Sequence, residues 1–211
     1  MTLPNAQAIR ADDPSGLNVA THQVGGKDYQ VVLLAGPSGH LRDTLPTYYL
    51  FTGAQALAAN KIHLSIYNGA GSGKVLKVRK LFLLNLQVAA VTGIMVVWRV
   101  LKSSSAGTGG TAITPRPADS QNPALPAQVV VAGGPTTPTE VFTWFDHAVS
   151  NDEIGATSAF PTPQILAGLN LVAEGEVLQE ITLREGEGLL VKQFTISAVG
   201  SYGVLAVVTA E

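Results

Sequence analysis

Apolar and polar residues alternate along much of this chain. Over residues 62–67, Ile62, Leu64 and Ile66 take one side of an extended backbone, and His63, Ser65 and Tyr67 take the other. A glycine-rich stretch follows, Asn68-Gly-Ala-Gly-Ser-Gly-Lys74. Beyond it Leu76, Val78, Phe82 and Leu84 share one face, with Lys80 as the exception, while Lys77 and Arg79 share the other. Period-two alternation bounded by glycine predicts two half-buried strands joined as a hairpin. Ile181–Gln193 repeats the plan, with Glu185-Gly-Glu-Gly188 as its tight turn.

The same reading predicts strands at 29–34, 47–51, 61–67, 75–86, 93–102, 111–114, 128–132, 140–147, 165–172, 177–184, 188–196 and 202–209. Ala54–Ala59 predicts one or two helical turns ended by Asn60. Residues 1–28 are polar and aperiodic, with a turn cluster at Asp12-Asp-Pro-Ser-Gly16. Pro115, Pro117, Pro123 and Pro126 keep residues 115–127 out of a central strand and predict a long extended loop. Short strands separated by frequent turns predict an all-β fold, a β-sandwich of jelly-roll type over residues 61–211. Residues 1–60 are expected to form an extended N-terminal arm or small subdomain.

One run needs a membrane test. Residues 81–98 carry no charge, and that length is near the lower limit of a spanning helix. Asn85, Gln87, Thr92 and Gly93 interrupt it, and Ala89–Gly93 reads as a turn. Two buried strands are predicted, with no membrane as partner.

Charged residues make up 13% of the chain, against about 25% in ordinary soluble domains. With so little charge and 46% hydrophobic residues, part of the surface is expected to be covered by partners, copies of the chain among them. The net charge of −2 and the confinement of Lys74, Lys77, Arg79 and Lys80 mostly to one strand face argue against nucleic acid as a partner. The chain has no cysteine, which rules out disulfides and thiolate metal sites. The absence of cysteine fits assembly in the cytoplasm, and Met1–Arg10 lacks the basic and apolar regions of a signal peptide.

Candidate chemistry adds little. The 68–74 loop lacks the Walker pattern: Asn68 stands where glycine is needed, Val75 where Ser or Thr is needed, and a strand follows where a helix must. Gly36–His40 and Gly71–Gly73 lack the spacing of a nucleophile elbow. His22, His40, His63 and His147 form no zinc-type pair, and His63 is expected on the polar face of its strand. Asp146-His147 ends a strand among Phe142, Trp144 and Phe145 without the flanks of a catalytic triad. Ser150–Glu153 reads as a turn rather than a calcium loop. Among Glu174, Glu176, Glu180, Glu185 and Glu187, the last two flank Gly186 at a turn and are expected to be solvated rather than paired for glycosidase chemistry. No catalytic, cofactor-binding or metal residue is predicted, and no enzyme activity. Tyr48, Tyr49, Phe142, Trp144, Phe145 and Tyr202 are expected in the core or an interface. An exposed platform of them would instead point to sugar binding.

The segments Lys61–Gly69 with Ser72–Lys80, Thr108–Pro115 with Asp119-Ser120 and Asn122–Pro126, Leu183–Gln193, and Val199–Gly203 together resemble bacteriophage virion structural proteins of the small β-sandwich kind. The resemblance covers about residues 61–211 and carries no functional residues. It implies a capsid decoration (cement) protein in the virion, with the major capsid protein and copies of itself, as a homotrimer, for partners. The alternative is a tail or fibre component that contacts the host through carbohydrate.

Overall fold

The structure is a computed structural model that describes residues 18–24, 27–33, 45–86, 91–154, 164–170, 180–194 and 200–211. It divides into two compact units, Met1–Leu45 and Pro46–Glu211. In the first, β1 (Asn18–Val24) and β2 (Lys27–Leu33) form an antiparallel hairpin, with Asn18 opposite Leu33 and Val24 opposite Lys27. β1 lies within residues 1–28, which the sequence pattern reads as polar and aperiodic, part of an extended arm or small subdomain. Asn18–Val24 shows no clean alternation; the usable sequence signal was the Gly-Gly dipeptide at 25–26, a composition that marks turns.

The second unit contains β3 (Thr47–Phe51), β4 (Gln55–Ala56), β5 (Ile62–Asn68), β6 (Leu76–Asn85) and β7 (Val91–Ser103). It continues with β8 (Thr111–Ala112), β9 (Arg116–Pro117), β10 (Val129–Gly133), β11 (Glu140–Ile154), β12 (Gln164–Asn170), β13 (Ile181–Leu183), β14 (Glu187–Phe194) and β15 (Ser201–Ala210). One sheet has six strands in the order β11-β7-β14-β5-β10-β8. The other has seven: β12-β6-β15-β3-β9, with β13 beside β6 and β4 beside β15. The two antiparallel sheets pack face to face as a β-sandwich. Because β3 and β4 pair with β15, the body includes residues 47–56, within the segment expected to be an arm or small subdomain. No described residue is helical, so none belongs to a helix long and apolar enough to cross a membrane. The turns expected at Ala54–Ala59 are the short strand β4 and a turn in which Asn60 takes φ 60°.

The core lies between the sheets. Leu64, Ile66, Trp98, Val100 and Leu189 of the six-stranded sheet meet Leu76, Leu81, Leu183, Tyr202 and Val204 of the seven-stranded one. Each such buried side chain contributes roughly 1.5–3 kcal/mol of transfer free energy. Residues 81–98 are not a span: β6 and β7 lie in opposite sheets, and Val91–Gly93, expected to turn, is already strand. The 115–127 loop supplies the edge strand β9, where Pro117 needs no ladder hydrogen bond, and Pro123 O accepts from the buried Tyr48 hydroxyl at 2.6 Å.

The two predicted hairpins are the principal correction. β5 pairs with β10 and β14, whereas β6 pairs with β12, β13 and β15. The glycine-rich segment therefore crosses from one sheet to the other as an arch. Residues 181–193 do the same, with β13 in the seven-stranded sheet and β14 in the six-stranded one. The arches stack: Gly186 N donates to Asn68 O at 2.7 Å, and the buried Asn68 Nδ2 donates to Lys74 O and Leu183 O at 2.7 and 3.0 Å.

Candidate functional site

Stacking of the arches decides what the glycine-rich loop does. Gly71 and Gly73 have φ of 77° and 64°, conformations that suit glycine and turn their amides toward one point. Those amides donate to Glu185 Oε2 and Oε1 at 3.0 and 2.8 Å. Hydrogen bonds from Gly71 and then Gly73 hold the Glu185 carboxyl below its ordinary range. The loop is thus an anion nest filled by a carboxylate of the same chain.

His63 is not on a polar face. Ladder registers shift between Val191 opposite Leu64 and Lys192 opposite Ile62, so His63 is the extra residue of a bulge. The bulge turns it edge-on against Trp98, with ring centres 4.8 Å apart, and buries it fully. Ile62 moves to a small cluster with Leu101 and Leu190. Burial first, then the charge of Lys61, lowers the His63 pKa to about 4, and a hydrogen bond with Gln193 acts in the opposite direction. Asp146 bonds both its oxygens to Arg99, at 2.7 Å each, and that pairing holds its carboxyl low. Asp146 and His147 are successive residues of a regular stretch of strand and face opposite ways. The turn expected at Ser150–Glu153 is strand: Ser150 lies opposite Met95 and Glu153 opposite Thr92. Among the described residues no group of three His, Cys, Asp or Glu is placed to hold a metal. The side chains of His22, His40, Glu174 and Glu176, and the Gly36–His40 segment, lie outside what the structure describes.

The aromatic residues divide. Tyr48, Trp98 and Tyr202 are core. Tyr49, Phe51 and Phe142 are 43%, 46% and 47% exposed. Tyr49 and Phe51 stand on the outward face of the seven-stranded sheet, where Phe51 lies opposite Leu205 and Leu205 opposite Phe82. The adjoining rows place Val207 between Tyr49 and Lys80, and Gly203 beside Leu84. The sequence reading assigned Phe82 and Leu84 to the core side. A bulge at Arg79 inverts the alternation, so Leu81 and Leu83 are buried and Phe82 and Leu84 face outward. Lys80, the exception in the pattern, was the signal of that bulge.

A second feature lies between the open edges of the sheets. Lys102, Phe142, Trp144, Glu180, Arg184 and Glu187 line a groove of about 310 Å³ with Ile181 and Thr182 at its side. Phe142 and Trp144 meet edge to face at 5.4 Å, and Lys102 Nζ lies 5.8 Å from the Phe142 ring centre. Lys102 donates to Glu187, and Arg79 pairs with Glu180. Burial acts to raise the Glu187 pKa, but hydrogen bonds from Lys102 and from the Arg184 amide bring it below the ordinary value.

No family model, no characterised protein and no solved structure matches the chain.

Proposed function

We propose that this chain is a non-enzymatic bacteriophage virion protein, a capsid decoration protein built on a sandwich of jelly-roll type. The observation that supports this best is the outward face of the seven-stranded sheet. Antiparallel sheets that face water usually alternate apolar-in with polar-out. Here Phe51, Leu205, Phe82, Leu84, Tyr49 and Val207 stand outward on three adjacent strands. A contiguous apolar sheet face of this kind marks an interaction surface. The phage assignment rests on the resemblance of residues 61–211.

In this reading the partners are the major capsid protein and copies of the chain itself, as a homotrimer, in a virion assembled in the host cytoplasm. Stabilisation is mechanical: a rigid sandwich covers a junction of the shell, and several copies bound together hold more tightly than one. The test is co-sedimentation of the purified chain with expanded, undecorated heads, followed by imaging of the particles. Saturable binding at symmetric positions is expected. Absence of binding to expanded heads overturns the reading, and density on the tail or fibre replaces it with the host-contact alternative.

A further inference from the structure

We infer that the groove between β11 and β13 is a binding site for a neutral sugar ring. The inference does not depend on which part of a virion carries the chain. Two ladder irregularities bracket the aromatic wall. Registers shift between Glu140 and Phe142, and again between Thr143 and Phe145. Bulges of this kind on edge strands re-aim side chains and occur beside binding sites. Successive residues of a regular strand point to opposite faces. The second bulge lets both Trp144 and Phe145 pack against the core. Trp144 is thereby fixed, and Phe142 stands on it at an interplanar angle of 80° with nearly half its surface exposed. A held aromatic face open to water suits the C–H face of a pyranose.

The polar lining sets the charge of the ligand. Lys102 and Arg184 are positive, Glu180 and Glu187 negative, so the lining sums to zero. Lys102 is tied to Glu187 and Glu180 to Arg79, so these two pairs carry no net charge, and Arg184 at the exposed rim is the one lining charge outside them. Hydroxyl recognition is available. The Thr182 hydroxyl donates to Glu180 O at 3.1 Å and keeps its own lone pairs for a ligand hydroxyl. Arg184 is exposed at the rim, and the Lys102–Glu187 pair offers both donors and acceptors. The volume is at the small end of ligand sites, the size of a mono- or disaccharide.

The test is a titration of the full chain with a panel of neutral mono- and disaccharides, read by NMR at the two indole N–H signals. Sialylated sugars and short neutral peptides serve as comparison ligands. At least one neutral sugar is expected to move the Trp144 signal saturably and to leave the buried Trp98 signal in place. Phe142→Ala is expected to weaken that binding about tenfold with the thermal midpoint retained. Arg184→Gln at the exposed rim gives a second variant should Phe142→Ala unfold, and is also expected to weaken it. The site is refuted if no neutral sugar moves Trp144, if only sialylated sugars or peptides do, or if both variants bind as the parent does. Failure here leaves head binding untouched, because the groove and the apolar sheet face share no residue.

Discussion

A histidine enclosed between two sheets ties the stability of the sandwich to pH. His63 touches Trp98 and has a folded pKa of about 4, whereas an unfolded chain gives a histidine about 6.5. Between those values the unfolded state binds more protons, so stability is complete above about pH 6.5 and is lost as pH falls toward 4. The gap, 6.5 to about 4, amounts to about 3 kcal/mol. His63→Gln, which does not titrate, should flatten the fall in urea midpoint between pH 7 and pH 4. Trp98 fluorescence is a suitable probe because it reports from the core. An unchanged slope in His63→Gln would assign the acid sensitivity to carboxylates instead. His63 also shows what alternation conceals: the pattern placed it outward, and one extra residue in the ladder turned it in.

Strands were legible in the sequence, but their partners were not. Period-two alternation in β5 and the first half of β6, and apolar runs beside glycine in β14 and β15, located these strands nearly to the residue. Nothing in that period says whether the next strand joins the same sheet or the facing one. The information sat in single residues. Asn68, read as the start of a turn, is buried and bridges the two arches through Lys74 O and Leu183 O. Asn68→Ala leaves both carbonyls without that donor and is expected to cost about 2–4 kcal/mol, measurable by urea unfolding; a loss below 1 kcal/mol would mean that water replaces the amide. Glu185 is the second clamp. Glu185→Ala should speed amide hydrogen exchange at Gly71 and Gly73, while amides in the centre of β5 keep their protection. The same limit applied at the groove. The sequence marks Phe142 and Trp144 as core or interface aromatics, but Lys102, Glu180, Arg184 and Glu187 join them only because β7, β13 and the arch after β13 converge there.

At the scale of the whole molecule, low charge and an outward apolar sheet face describe one property. The second half of β6, Leu81-Phe-Leu-Leu84, and β15, Tyr202-Gly-Val-Leu-Ala-Val-Val208, read as nearly continuous apolar runs. Strands with that composition are normally covered on both faces. One face of each is covered by the six-stranded sheet across the core, and the other carries Phe82, Leu84, Leu205 and Val207. Leu205 sits between Phe51 and Phe82 in the middle row of that face. Leu205→Lys puts a charge at its centre while the lysine stem still covers its neighbours, so folding stability should change by no more than about 1 kcal/mol. Self-association should be lost. The parent chain is expected to sediment as a trimer and the variant as a monomer of intact fold, judged by urea midpoint. A parent that sediments as a monomer at every concentration would remove the trimer. A variant that stays trimeric would move the subunit contact elsewhere and leave the apolar face to the shell, where loss of head binding in the same variant would reveal it.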